Sequence, residues 1–231
     1  MRLCYFCLLL YRDNDMIRIL HTADWHLGQT FFGYDRTKEH EAFLDWLLRE
    51  IRKNEIDALI IAGDVFDVSN PSAASQRMYY EFIYRVTAEN PGLQIVIVAG
   101  NHDSAARLEA PLPLLQAMRT EVRGVVRKLN EGEIDYDHLA VELKNREGEV
   151  EVLCMAVPFL RQGDYPVVET EGNPYMEGVR ELYTQLLQRL WARRKTNQAI
   201  LAIGHLQATG SEIAEKDYSA VSYTHLRAHE T

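Results

Sequence analysis

The sequence predicts an α/β fold in which largely parallel strands form a central sheet covered by helices. Short apolar runs alternate along the chain with stretches whose apolar residues recur at the helical period of about 3.6 residues. Several of the apolar runs lack polar residues, a pattern typical of strands buried on both faces of a parallel sheet. The chain has 231 residues, 47% hydrophobic and 26% charged, so it can bury a sizeable core.

The first half of the chain contains three predicted strands and two predicted helices. The strands cover residues 17–21, 58–62 and 94–99. The first helix, over residues 38–54, places these apolar side chains on one face: Phe43, Leu44, Leu47, Leu48 and Ile51. The second helix, over residues 72–90, has these inward positions: Tyr79, Phe82, Ile83 and Val86. Strands separated by amphipathic helices are typical of parallel pairing.

The second half begins with a helical stretch over residues 105–119 that Pro111 and Pro113 interrupt. Two or three shorter strands are expected after it, over residues 122–127, 139–143 and 150–157, and Glu147-Gly148 marks the turn between the last two. The pattern closes with a long amphipathic helix over residues 175–194 and a further buried strand over residues 199–203. The alternation of strand and helix therefore extends through most of the chain.

The two ends of the chain do not fit this pattern. We interpret residues 1–15 as upstream sequence read in frame, with Met16 as the natural start. This leader has a short apolar stretch, but no small-residue cleavage site of a signal peptide follows it. Residues 222–231 read SYTHLRAHET and resemble a tail that recurs on unrelated reading frames. The folded domain is therefore expected over residues 16–221 and is expected to be truncated at its C-terminal side.

The composition excludes several classes of protein. With 25 basic and 34 acidic residues the net charge is −9, which argues against a simple basic DNA clamp. Nucleic acid remains possible as a substrate, because bound divalent metals can meet a phosphate. Three cysteines provide no disulfide framework, which favours the cytoplasm. Since no apolar run approaches the roughly 20 residues that span a bilayer, no membrane contact is expected.

Polar side chains follow four of the predicted strands at the point where each strand ends. Open α/β sheets bind their ligands at the carboxyl ends of the strands, so these side chains are expected to converge on one rim. The candidate site residues are Asp24, His26, Asp64, Asn101, His102 and His205.

Carboxylates, an amide oxygen and imidazoles form a ligand set without thiolate, which suits Mn²⁺, Fe²⁺, Zn²⁺ or Mg²⁺. The large share of oxygen atoms favours Mn²⁺. Two ions would need a carboxylate between them, and Asp64 is the natural bridge because it follows a central strand. Each signal is weak alone, since Asp64 could cap a turn and His205 could be a core histidine. Four strand ends with compatible ligands together favour a metal centre.

The strings around these residues resemble a known family. Asp-x-His, Gly-Asp, Gly-Asn-His-Asp and Gly-His, in this order, are similar to the motifs of the calcineurin-like metallophosphoesterase superfamily. The longer strings TADWHLGQ, AGDVFD, AGNHDS and GHLQATG resemble the SbcD family of bacterial nuclease subunits. The resemblance runs from Met16 to about Ala220, and it implies a sandwich of two central β-sheets flanked by helices.

The resemblance also implies roles for the candidate residues. Asp24, His26 and Asp64 match the ligands of a first metal, and Asp64 matches a ligand of a second metal together with Asn101 and His205. His102 matches the general acid that protonates the leaving 3′ oxygen. The implied activity is double-strand exonuclease and single-strand endonuclease action on DNA in repair, recombination and replication. The implied partners are DNA, an SbcC-like ATPase subunit and a second copy of the chain, as a homodimer within a heterotetramer.

One part of the family pattern is missing, a Gly-His-x-His motif on a later strand that adds a ligand to each metal. His225 and His229 lie four apart but lack this context, so we do not assign them as ligands. Two alternatives to the nuclease stay open. One is a phosphoesterase of the same superfamily that acts on a small or protein substrate, and the other is a truncated fragment without activity.

Two features beside the first motif have alternative interpretations, and two other histidines are not assigned to the site. Trp25, between two candidate ligands, either packs beneath the site or faces substrate. The aromatic loop that contains Phe31, Phe32 and Tyr34 contacts either substrate or a second subunit. His40 and His138 are expected to face solvent.

Overall fold

The structure, a computed structural model, describes residues 8–10 and 16–206 and folds them into a four-layered α/β/β/α sandwich. Its elements in chain order are β1 (Leu8–Leu10), β2 (Ile19–Thr22), β3 (Thr30–Phe31), β4 (Tyr34–Asp35), α1 (Thr37–Lys53), β5 (Ala58–Ala62), α2 (Ala73–Glu89), β6 (Gln94–Val98), α3 (Ala105–Glu109), α4 (Leu112–Gln116), β7 (Thr120–Arg123), a 3₁₀ turn (Asn130–Gly132), β8 (Ala140–Lys144), β9 (Val150–Val157), α5 (Pro174–Arg193) and β10 (Ala199–Gly204). Among these described helices, none has the length and apolar character that crossing a bilayer requires.

The first sheet has five strands in the order β1-β2-β5-β6-β7. The strands from β2 to β7 are parallel, whereas β1, which lies in the segment interpreted as a leader, runs antiparallel to β2. The register pairs Thr22 with Ile61 and Ala62 with Val98, so the carboxyl ends of β2, β5 and β6 lie side by side. The predicted α/β fold with parallel central strands is confirmed.

The second sheet has three strands in the order β10-β9-β8, and β10 is parallel to β9. One face of this sheet packs directly on the first sheet. The buried side chains between the sheets are Ile19, Ala23, Ala58, Ile60, Ala62, Val96, Val98, Val141, Leu143, Val152, Cys154, Ala156 and Ile203. Burial on both faces explains why the β5 sequence, ALIIA, is apolar at every position.

Helices cover the two outer faces of the sandwich. The buried faces of α1 and α2 lie on the first sheet with the short helices α3 and α4, while α5 lies on the second sheet. Ser72 caps the N-terminus of α2, where its hydroxyl accepts a hydrogen bond from the Ser75 N–H. Asn173 caps α5, where its side chain accepts from the N–H groups of Tyr175 and Met176. The helical periodicity in the sequence therefore predicted the packed faces correctly.

Three expectations about local environment were wrong. Ala199 is exposed and the next three residues of β10 are half-buried, because β10 is an edge strand in the described part of the chain. His40 is only 1% exposed, since it lies three and four residues before Phe43 and Leu44 on the packed face of α1. The His138 side chain is 8% exposed and lies beside Glu109.

Candidate metal centre

The loops that follow β2 and β5 are joined by backbone hydrogen bonds beyond the ends of the strands. The N–H of Asp24 donates to the carbonyl of Gly63 at 3.1 Å, and the N–H of His26 donates to the carbonyl of Asp64 at 3.0 Å. Because the strands are parallel and in register, both motifs emerge at the same edge. Asn101 and His102 follow β6 at that edge, so three of the four predicted strand ends meet as expected.

His205 reaches the same place from the second sheet. It follows β10, and its Nδ1 donates a hydrogen bond to the carbonyl of Ala62 at 2.9 Å. This contact directs Nε2 toward the cluster and leaves its lone pair available for a metal in the neutral ring. A Cβ added to Gly63 would lie 2.2 Å from Nδ1 of His205, so glycine is required for this close approach.

Asp64 lies at the middle of the cluster and is fully buried. Its Oδ1 accepts a hydrogen bond from the backbone N–H of His102 at 3.0 Å. Its Oδ2 lies 3.6 Å from Nε2 of His26 on one side and 3.4 Å from Nε2 of His205 on the other. One carboxylate oxygen therefore faces two imidazole nitrogens that come from different sheets.

The remaining two predicted ligands lie beside these histidines. Oδ1 of Asp24 is 4.0 Å from Nε2 of His26, and Oδ1 of Asn101 is 3.0 Å from Nε2 of His205. Two ligand atoms that bind one ion at about 2.0–2.2 Å at right angles are about 3 Å apart. Both predicted ligand sets, joined at Asp64, are therefore close to the spacing that a metal ion requires.

Unpaired buried atoms give an independent test of whether a cation fits. Oδ1 of Asp24 and Oδ2 of Asp64 are buried and lack a hydrogen-bond donor among the described residues. Leaving such acceptors unpaired in a protein interior is costly, and a bound cation removes the cost. Clusters within metal-binding reach also form around Asp64 with Asp24 and His205, and with His26 and His102. The residues present fit divalent ions.

Three of the six non-glycine residues with positive φ in the described part of the chain are candidate ligands. Asp24, His26 and Asp64 have φ angles of 57°, 45° and 49°, in the left-handed region that residues with a side chain avoid. Each such residue costs on the order of 1–3 kcal/mol, and strain of this kind clusters at functional sites. The fold maintains these conformations because they turn three candidate ligands toward one point.

The titration of the cluster reflects its burial and its charges. Burial raises the pKa of Asp24 to about 6. Burial also acts to raise the pKa of Asp64, but the contact with His205 outweighs it and the net shift is downward. For His205, burial alone would lower the pKa, yet Asp64 raises it to about 9 in the metal-free chain. Binding of a metal would therefore release a proton from His205.

His102 differs from the other histidines in its orientation. Its Nδ1 donates to the backbone carbonyl of Asp67 at 2.7 Å, so Nε2 is the ring nitrogen that remains for another contact. The ring meets that of His26 edge to face with centroids 4.9 Å apart. His102 is half-buried at the rim, so it can meet a bound substrate.

Asp67 and Asp103 contribute to the site and were not assigned from sequence. Oδ1 of Asp67 lies 3.3 Å from Nδ1 of His26, outside hydrogen-bond geometry. Asp103 is 2% exposed and accepts backbone N–H bonds from Val65, Phe66 and Gly100 at 2.9–3.2 Å. It thereby joins the loops after β5 and β6. Each residue ends a motif string, AGDVFD or AGNHD, which is the signal that could have revealed it.

The structure decides the position of Trp25 but leaves the role of the aromatic loop open. Trp25 packs beneath the site, 1% exposed, with its ring edge-on to Phe43 and Phe82. The aromatic loop is a hairpin of β3 and β4 in which Phe32 is 88% exposed and Tyr34 76% exposed. The hairpin therefore stays a candidate contact surface.

Comparison with known proteins identifies the family. The profile of the calcineurin-like phosphoesterases matches residues 17–230, most of the chain. The chain belongs to the calcineurin-like phosphoesterase family. This membership and the two packed sheets confirm the predicted fold class, and the predicted metal dependence agrees with the family.

Among curated relatives, this phosphoesterase is similar to the SbcD component of the SbcCD nuclease from several bacteria. It is 39% identical to the Rhodobacter capsulatus protein over 84% of this chain and 49% of the relative. It is 33% identical to the Escherichia coli K12 protein over 84% of this chain and 48% of the relative. The Bacillus subtilis protein is 44% identical over 42% of this chain and 25% of the relative. The chain spans about half the length of the first two, and the resemblance to SbcD is confirmed.

Proposed function

We propose that this chain carries the catalytic part of an SbcCD-like nuclease and hydrolyses phosphodiester bonds of DNA with two divalent metal ions. The observation that supports this most strongly is the unpaired Oδ2 of Asp64 between the Nε2 atoms of His26 and His205. The similarity to nuclease components over 84% of the chain makes DNA the favoured substrate. The activities that we expect are double-strand exonuclease and single-strand endonuclease action in DNA repair, recombination and replication.

The ligands divide into two sets that share one residue. Asp24, His26 and Asp64 would hold the first ion, and Asp64 would hold the second with Asn101 and His205. We propose Mn²⁺ as the metal, because the donors are mostly oxygen with some imidazole and no thiolate. When bound, such ions activate a water molecule and neutralise the charge that develops on the phosphorus.

The chain's own contribution to the chemistry is positioning and proton transfer. The carbonyl of Asp67 fixes Nδ1 of His102 as a donor, so a protonated His102 carries its second proton on Nε2. From there it would pass to the leaving 3′ oxygen as the P–O bond breaks. The hydrogen bond from the backbone N–H of His102 to Oδ1 of Asp64 keeps His102 at a fixed place beside the candidate ligands.

The partners follow from the same similarity and belong to this proposal. We expect a complex with an SbcC-like ATPase subunit, with two copies of the nuclease chain as a homodimer in a heterotetramer. Cytoplasmic location is expected for a DNA-directed enzyme of this kind. Co-purification of this chain with an SbcC-like ATPase from the same genome, followed by mass determination, tests the assembly directly.

The activity is tested by incubating the Mn²⁺-loaded chain with four substrates. These are linear duplex DNA, closed single-stranded circles, bis(p-nitrophenyl) phosphate and p-nitrophenyl phosphate. The proposal predicts Mn²⁺-dependent loss of the linear duplex and nicking of the circles, both abolished by Asp64→Asn. Preference for the monoester would favour a small-molecule phosphatase, and no hydrolysis with normal folding would favour the inactive fragment.

A further inference from the structure

Arg161 lies beside the candidate metal centre on a segment that no ligand motif includes. β9 ends at Val157, and the next residues pass across the rim, where the Phe159 N–H donates to the carbonyl of Ala99 at 2.8 Å. The Phe159 ring meets the His205 ring edge to face with centroids 6.3 Å apart. The segment is therefore attached to the end of β6 and to a candidate ligand.

Two contacts place the Arg161 guanidinium, and a third fixes the backbone of Arg161. Its Cζ lies 5.3 Å above the centre of the Phe159 ring, and its Nη2 donates to the carbonyl of Asn101 at 3.4 Å. The Arg161 N–H donates to Oδ2 of Asp164 at 2.7 Å, which fixes the turn that Arg161 begins. A guanidinium held in this way loses little side-chain entropy when it binds a ligand.

This cation has no carboxylate partner within the described residues. Its side-chain contacts there are the Asn101 carbonyl and the Phe159 ring, although a guanidinium has five N–H donors. The side chain is exposed and its remaining donors face solvent above the site. Most other arginines near carboxylates in this acidic chain form ion pairs, for example Arg146 with Asp57 at 2.8 Å.

The charge balance of the centre indicates a role for the Arg161 guanidinium. Asp24, Asp64, Asp67 and Asp103 carry up to four negative charges, which two divalent ions would balance. A phosphodiester then adds a charge that the cluster itself does not neutralise. A guanidinium at the rim matches phosphate oxygens with paired N–H donors, a geometry that lysine lacks.

We propose that Arg161 binds a phosphate of the DNA backbone at the side of the centre formed by Asn101 and His205. This inference rests on the proposed nuclease function and adds a substrate-binding residue to it. Arg161 helps an acidic protein bind a polyanion, while the candidate metal ligands and His102 keep their roles.

The test measures DNA binding rather than cleavage. Affinity for a short fluorescein-labelled single strand with phosphorothioate linkages, which resists hydrolysis, is measured by anisotropy over a series of KCl concentrations with Mn²⁺ present. Arg161→Gln is expected to weaken binding about tenfold, the effect of losing one charged hydrogen-bonded contact. It should also reduce the slope of log affinity against log salt by about 0.7, the value for one phosphate contact on a single strand.

Two further variants sharpen the result. Arg161→Lys should keep the salt slope but recover only part of the affinity, because it retains the charge and loses the paired donors. Arg189→Gln is the matched control, since Arg189 lies near the C-terminal end of α5, where its guanidinium is 4.7 Å over the Tyr136 ring and 3.7 Å from Glu133 and contacts none of the candidate site residues. It removes the same charge and should leave both quantities unchanged.

The outcomes separate this inference from the proposed function. Calorimetric Mn²⁺ binding and hydrolysis of bis(p-nitrophenyl) phosphate by the wild-type chain report on the metal centre independently of Arg161. If both are normal and Arg161→Gln has the affinity and salt slope of the wild type, the role of Arg161 is wrong. Equal losses in Arg161→Gln and Arg189→Gln would also overturn it, because they would show only a general charge effect. Absence of DNA binding by the wild-type chain would overturn it as well.

Discussion

The role of His102 is the assignment that most needs an experimental test. It lies among the candidate ligands, since His26, Asp64 and His102 together are within metal-binding reach. Its ring is oriented by the Asp67 carbonyl, and we assign it as the acid rather than a ligand. His102→Gln should therefore lower kcat for DNA by about 10²–10⁴-fold, the usual contribution of a general acid. Mn²⁺ binding measured by calorimetry should stay as in the wild type, and a loss of bound metal like that in Asp64→Asn would make His102 a ligand.

Gly63 is a residue whose lack of a side chain serves the site. Its φ is +90°, and an added Cβ would lie 2.2 Å from Nδ1 of His205. Gly63→Ala should lower the free energy of unfolding by roughly 2–4 kcal/mol through backbone strain and overpacking. It should also weaken Mn²⁺ binding, because His205 must move. Gly33→Ala is the control, with φ of +81° and no atom within 4 Å of the added Cβ. If calorimetry and chemical denaturation give equal effects for both variants, the close contact with His205 is unimportant.

At this scale the sequence predicted the positions of the six candidate site residues but not all of their neighbours. The structure brings all six together: five follow the parallel strands β2, β5 and β6, which end at one edge of the first sheet, and His205 reaches that edge from β10 of the second sheet. Asp67 and Asp103 were missed, since neither the side-chain contacts of Asp67 with Gln29 and His26 nor the backbone N–H bonds that Asp103 accepts leave a periodic signal in the chain. Contacts of this kind depend on how two loops meet, which local sequence does not encode.

Among the secondary-structure elements, α3 is attached to the end of β7 through one carboxylate. Glu109 accepts N–H bonds from Gly124 at 2.9 Å and Val125 at 3.2 Å, and its side chain is 12% exposed. Burial acts to raise the pKa of Glu109, but His138, the two N–H bonds and Arg127 together lower it to about 2. The carboxylate is thus stabilised in the folded state relative to the unfolded chain.

The pH dependence of stability follows from this lowered pKa. Because the folded value lies below the unfolded one, the stabilisation is present above about pH 4.5 and is lost as the pH falls toward 2. Glu109→Gln should lower the free energy of unfolding at pH 7 by about 2–3 kcal/mol, and the difference from wild type should shrink between pH 5 and 3. Urea unfolding over this range checks it, with Glu147→Gln in an exposed turn as the control. A difference that is constant with pH would contradict the electrostatic explanation.

Elements with a strong repeat were predicted well, and short ones were not. The expected bounds of β5 and β9 agree with the structure, and those of α1 differ by one residue at each end. The hairpin of β3 and β4 was missed because two residues per strand are too few to show alternation. β7 covers Thr120–Arg123 rather than the expected residues 122–127. Its pairing with β6 ends at Arg123, although Val125 and Val126 continue the apolar run in the sequence.

For the molecule as a whole, the buried interface between the two sheets is expected to make unfolding cooperative. Cys154 lies fully buried in that interface, and burial raises its thiol pKa to about 12. In a Cys4→Ser, Cys7→Ser background, Cys154 should react with Ellman's reagent only when the sandwich opens. Its labelling rate should therefore rise with urea in parallel with global unfolding followed by circular dichroism. Rapid labelling without denaturant would contradict the packing of the two sheets.

The order of the strands is the feature that the sequence could not provide. The apolar run of β10 indicated a buried strand, but it did not indicate that this strand belongs to a second sheet. As a result, the sequence placed His205 at the same rim as the other ligands, but it did not show that His205 reaches the rim from the second sheet. The resemblance to a known family supplied the two-sheet arrangement that periodicity alone left open.

A metal centre bridged by Asp64 is tested most directly by counting bound metal. Wild-type chain and Asp64→Asn are dialysed against Mn²⁺, and the bound ions per chain are determined by elemental analysis with calorimetric titration. Asp45→Asn, a change of an exposed carboxylate on α1, serves as the control. Two ions in the wild type and the control, with neither retained in Asp64→Asn, is the result we predict. Two ions retained in Asp64→Asn would contradict the bridging role of Asp64 and the centre proposed around it.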